Sequence, residues 1–100
     1  MPSEKDLERT VRHYLAIRGW WFPSKSPFPH GDPDIIACRN NQVLLIELKL
    51  PGKERNLSIG QQRTKALVEA SGNDYHVASS LEAVAEIEER VTGVPKAVLL

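Results

Sequence analysis

The segment VLLIELKL, residues 43–50, carries aliphatic side chains at odd and even positions alike and halts at Pro51. Successive strand residues face opposite sides of a sheet, so a strand of this kind needs cover on both. That excludes a sheet with one wet face and demands helices on either side. The chain has 100 residues, enough for one such core, and the expectation is a single domain over residues 1–100.

The remaining sequence supplies the layers. Ser3 and Asp6 form a capping-box pattern, and Leu7, Val11, Tyr14 and Leu15 recur at helical spacing before Gly19. A first helix over about residues 4–18 is predicted. Trp20, Trp21 and Phe22 favour a short strand, which Pro23 limits. Residues 23–33 hold four prolines and a glycine. They read as a stiff loop, and connections of this length are more often functional than idle.

Residues 34–38 and 43–50 then form a hairpin about Asn40-Asn41, because asparagine tolerates the positive φ of a two-residue turn. Ser58 and Gln61 make a second capping box, opening a helix over 59–71 that Gly72 closes. Residues 75–78 read as a strand. Ser79 and Glu82 are expected to cap a third helix running to about Val91, with Gly93 and Pro95 ending it. The order αβββαβα predicts an α/β fold: a mixed four-stranded sheet flanked by helices, with the second helix as a right-handed crossover between strands three and four.

Centring the turn on Asn40-Asn41 pairs residues whose numbers sum to 81, which sets Asp34 opposite Glu47. Like charges directly opposed destabilise a hairpin. Lys49 lies on the same face, two residues beyond Glu47, while Ile35, Ala37, Leu44, Ile46 and Leu48 point the other way. One amine offsets part of the repulsion. A divalent cation offsets it more fully, and oxygen donors without a Cys or His select a hard ion, Mg²⁺ or Mn²⁺. Such an ion can orient water, lower its pKa and stabilise charge on a transferring phosphate. Glu-x-Lys alone is a weak signal. The competing use of these residues is an edge ion pair of Glu47 with Lys49 or Arg39.

Other classes are excluded or disfavoured. A single cysteine, Cys38, permits no internal disulfide and fits a reducing compartment, and His13, His30, Cys38 and His76 lack zinc-ligand spacing. The charged N-terminus lacks the apolar core of a signal peptide, and no segment approaches the ~20 apolar residues of a membrane span. A cytoplasmic protein is expected. The formal net charge of +0 hides a polarity: residues 1–65 hold 11 basic and 7 acidic side chains, residues 66–100 hold 2 and 6. The basic segment suits a polyanion such as DNA.

Glu8, Gly31-Asp32-Pro33-Asp34, Glu47-Leu48-Lys49 and Gln61 after Leu57-Ser58 together resemble the VRR-NUC domain of the PD-(D/E)XK nuclease superfamily, over about residues 4–90. The resemblance implies a restriction-endonuclease-like αβββαβ core and divalent-metal-dependent hydrolysis of DNA phosphodiesters. It further implies a preference for branched or flapped substrates such as Holliday junctions, roles in DNA repair, a homodimer, and a bacterial or phage-infected host. It assigns Asp34 and Glu47 as metal ligands, the Leu48 carbonyl as a further oxygen, and Lys49 as the catalytic lysine. Glu8 would approach the metal from the first helix and Gln61 would support the site from the second, with Gln62 the alternative glutamine. Each has a local use as well: Glu8 can pair with Arg12 at i+4, and Gln61 can serve the cap alone.

Lys53, Arg55, Arg63 and Lys65 flank this site in sequence and are candidates for holding the DNA backbone, as is His30. Such contacts position DNA without reading its sequence, so shape rather than base order should determine the target. Of the two tryptophans, one is a candidate for base stacking, although core packing is the commoner use. The alternative to an enzyme is a noncatalytic DNA-binding or assembly module that keeps the fold. The apolar tail Ala97-Val98-Leu99-Leu100 is a candidate dimer interface.

Overall fold

A computed structural model describes residues 3–24 and 31–95. Six elements follow in the order α1 (Glu4–Ile17), β1 (Ile35–Arg39), β2 (Gln42–Leu48), α2 (Ile59–Ala70), β3 (His76–Ala78) and α3 (Leu81–Thr92). The class is α/β, and the sheet is three-stranded and mixed, in the order β1-β2-β3. β1 and β2 are antiparallel, and β2 and β3 are parallel.

The fourth strand expected at Trp20-Trp21-Phe22 is reduced to one antiparallel bridge between Trp21 and Cys38. These two residues exchange both backbone hydrogen bonds, at 2.9 and 2.8 Å, and the ladder goes no further. Pro23 brings a missing donor and a fixed φ, which end the pairing.

The hairpin register is the one set by the turn. Ile35 pairs with Ile46, Ala37 with Leu44 and Arg39 with Gln42, and Asn40 takes φ 53°. One face of the sheet carries Ile35, Ala37, Leu44, Ile46 and Leu48 into a core with Val11, Tyr14 and Leu15 of α1 and Val84, Ala85 and Ile87 of α3. The opposite face carries Ile36 and Leu45 into a smaller cluster with Val68 of α2, Tyr75 and Val77. Full burial of an aliphatic side chain such as Leu15 or Ile46 contributes about 1.5–3 kcal/mol, so the two-sided strand is the main source of cohesion.

The helix starts follow their caps. Ser3 and Asp6 form a reciprocal capping box on α1, as do Ser58 and Gln61 on α2. At α3 the cap is Ser80, whose side chain accepts from the Ala83 amide, rather than the expected Ser79. Ser80 stands directly before Leu81, the first helical residue, where a side-chain oxygen reaches the third helical N–H.

One polar node lies inside the α1/α3 layer. Glu88, 0% exposed, accepts from Arg18 Nε at Oε1 and from Trp20 Nε1 at Oε2, the latter at 2.7 Å, and Arg39 Nη1 lies 3.8 Å from that same Oε2. Trp20 is therefore a core residue with a satisfied N–H, while Trp21 is 59% exposed. No helix among the described residues is long and apolar enough to cross a membrane.

Candidate functional site

The site lies at the end of β2 that faces α2. Trp21 takes both backbone groups of Cys38, so Cys38 and Val43 form a non-hydrogen-bonded pair, and alternation makes Asp34 and Glu47 another. Side chains approach most closely in such pairs. Asp34 turns one oxygen, Oδ2, onto the Leu48 amide at 2.8 Å. The amide would otherwise be left open where β1 has ended.

Glu47 is 3% exposed. Its Oε2 accepts from Gln61 Nε2 at 2.7 Å and lies 3.7 Å from Lys49 Nζ, while Oε1 has no partner in the protein among the described residues. Burial first, and the negative charge of Asp34 second, push the Glu47 carboxyl from 4.5 up to about 7, with Lys49 pulling the other way. Two acids thus face one amine, and the fold favours the protonated form of Glu47 up to about neutral pH.

Gln61 joins helix to site. Its Oε1 accepts from the Ser58 amide at 2.8 Å and from Lys49 Nζ at 3.1 Å, while its Nε2 donates to Glu47. The neighbouring Gln62 turns away and donates to the Leu57 carbonyl at 2.9 Å. The capping role and the site role proposed for Gln61 are therefore held by one side chain at once.

Glu8 is not brought to this cluster. It pairs with Arg12 Nε at 3.0 Å, and the described residues contain no group of three His, Cys, Asp or Glu placed to hold a metal. The reason is local: Arg12 sits at i+4 and satisfies the carboxylate on the helix surface. The same arginine reaches the backbone carbonyl of Asp34 through Nη2 at 2.8 Å and stacks over Phe22, 4.9 Å from the ring centroid. Arg12 thereby holds the entry to β1, a role its sequence position did not announce.

Two further residues went unnoticed in the sequence. Thr64, 0% exposed, stands one helical turn beyond Gln61, and its hydroxyl donates to the Gly31 carbonyl at 2.7 Å. This ties the Gly31-Asp32-Pro33-Asp34 turn to α2. Gly31 takes φ 117°, which side-chain-bearing residues rarely adopt. Tyr75 is 6% exposed, and burial together with the charges of Glu47 and Asp34 raises its hydroxyl to about 12. The i, i+3 spacing of Gln61 and Thr64 was a signal for the first; only the strand register could have revealed the second.

Among the basic candidates, Lys53, Arg55 and Arg63 are exposed, and Lys65 pairs with Glu69 at 3.2 Å. His30 and the tail at 97–100 lie outside the described residues.

The arrangement fits a hard divalent cation. Magnesium is usually held by one or two carboxylates, with water and substrate phosphate completing its shell. Asp34 and Glu47 supply that pair, and the unpartnered Oε1 is a ready donor. In a strand, a residue's N–H and C=O face the same neighbour; since the Leu48 amide faces Asp34, its carbonyl lies along that edge too. Comparison with protein-family models, curated proteins and solved structures gave no match.

Proposed function

We propose that this protein is a divalent-metal-dependent DNA nuclease with a restriction-endonuclease-like core, acting on branched or flapped DNA in the manner of VRR-NUC domains. One observation carries the reading: Asp34 and the buried Glu47 converge with Lys49 and Gln61 beside them, and Glu47 Oε1 has no partner among the described residues. An ion pair of Glu47 with Lys49 leaves the charge of Asp34 unopposed beside it, a repulsion that shows in the raised Glu47 carboxyl and that a bound cation would relieve.

Asp34, Glu47 and the Leu48 carbonyl would hold Mg²⁺ or Mn²⁺. When bound, the ion supplies a polarised water and positive charge for the phosphate. The carboxylate oxygens of Asp34 and Glu47 would orient the ion. Lys49, held by Gln61, keeps a fixed cation at the mouth of the site, where charge develops on the scissile group. Glu8 is left out of the donor set, and its pairing with Arg12 supports the Asp34 turn from α1 instead. Exposed Lys53, Arg55 and Arg63 are suited to backbone phosphates. A homodimer would present two such sites to the two strands of a junction.

The test is incubation of the purified chain with four-way, flap and linear DNA, with and without Mg²⁺ or Mn²⁺, beside Lys49→Met. Metal-dependent cleavage that the variant loses while still binding DNA is expected. Binding without cleavage of any substrate under either ion would instead make the chain a noncatalytic DNA-binding module.

A further inference from the structure

Two buried polar atoms have no hydrogen-bonding partner in the protein among the described residues: Oε1 of Glu47 and the hydroxyl of Tyr75. Buried polar groups are paired in the great majority of cases, so two orphans in one small site need a common cause. They are complementary, since a carboxylate oxygen accepts and a phenol can donate.

Strand register brings them to the same place. Ile46 pairs with His76 and Glu47 with Val77, so continuing the ladder sets Tyr75 beside Leu45, on the face that carries Glu47. The Tyr75 ring packs with Leu45 and Val68. Glu47 lies two residues further on and one strand across, a diagonal of about 8 Å between the backbones, most of which a tyrosine side chain can span. Burial first, then the charges of Glu47 and Asp34, push the Tyr75 hydroxyl further above its ordinary range, so it stays a donor. No direct bond closes the gap, and the gap is polar on both sides, as a structural water requires.

We propose that Tyr75 is a positioning residue of the acid site, its hydroxyl donating to a water held against Oε1 of Glu47. With a hard cation held by Asp34 and Glu47, Tyr75 would keep that water beside the carboxylate. The inference rests on the metal-binding part of the reading above and not on the identity of the DNA.

Mn²⁺ binding to the intact, DNA-free protein, followed by electron paramagnetic resonance, tests it with Tyr75→Phe, Tyr75→Met and Val68→Ala. The Phe variant should bind Mn²⁺ about tenfold more weakly, the usual effect of losing an outer-shell partner, while its metal-free melting temperature does not rise. Tyr75→Met also fills the space without a hydroxyl and should weaken binding equally, so the result does not depend on one variant folding. Val68→Ala loosens the same cluster yet should leave affinity within twofold. Unchanged Mn²⁺ affinity in both Tyr75 variants, or an equal loss in Val68→Ala, overturns the proposal while leaving the metal site standing. Absence of binding by the wild-type protein overturns both.

Discussion

Replacing Glu47 with Gln should change how stability depends on pH more than any other conservative substitution in the molecule. The folded protein holds the Glu47 proton to about 7, against 4.5 for the free side chain. Below 4.5 both folded and unfolded chains carry the proton, and Glu47 imposes no penalty. Between 4.5 and about 7 the unfolded chain gives it up first, so stability falls as pH rises, and the loss is complete above about 7. A shift of this size corresponds to about 3 kcal/mol. In Glu47→Gln the amide oxygen can still accept from Gln61 and the amide nitrogen can donate to Asp34, so the variant should lack the fall without losing its neighbours. His76 acts oppositely: burial lowers its pKa, which makes stability rise with pH in the same window. The informative quantity is therefore the difference between wild-type and variant profiles. Urea denaturation of the metal-free proteins at steps from pH 4.5 to 8 measures it. The variant should gain about 3 kcal/mol on the wild type across that range, and Mg²⁺ at pH 8 should close much of the gap by stabilising the wild type alone. Parallel profiles would refute the reasoning, because they would mean that Glu47 ionises in the fold as readily as in water.

Two other outcomes follow from the geometry. Gln61→Ala removes a helix cap and the link between Glu47 and Lys49, and should lower stability by about 1–2 kcal/mol, whereas Gln62→Ala should stay within about 0.5 kcal/mol; equal effects in thermal denaturation would contradict the assignment. Glu88→Ala strands Arg18 and Trp20 Nε1 in the α1/α3 layer and should cost about 3–5 kcal/mol, so a change under about 1 kcal/mol by chemical denaturation would show that Glu88 is not the node described.

Local grammar explains what could be read from the sequence. The hairpin register follows from Asn40-Asn41, whose two-residue turn fixes which residues face each other, and a one-residue slip would carry Glu47 and Lys49 onto the face that packs on α1 and α3. That register is also what opposes Asp34 to Glu47. The two capping boxes place α1 and α2 to within a residue. The limits appear where a partner lies in another element. Glu8 pairs with Arg12 one turn away, and that same arginine holds the Asp34 carbonyl, a link from α1 to β1 that the i, i+4 spacing alone does not reveal. Trp20 and Trp21 have strand propensity, yet Pro23 leaves room for a single bridge. Tyr75 and the Glu88 node depend on contacts between elements far apart in the chain, including the parallel pairing of β2 with β3, and no periodicity in their own segments encodes them.

The side chain of Gln61 closes the first turn of α2 and, with the same atoms, tethers Lys49 and Glu47. Fraying at that helix start would therefore dismantle the amine's anchorage in the same instant, with no separate step. Amide exchange near Ser58 and loss of function under heat or denaturant should accordingly rise together, well before the sheet itself gives way.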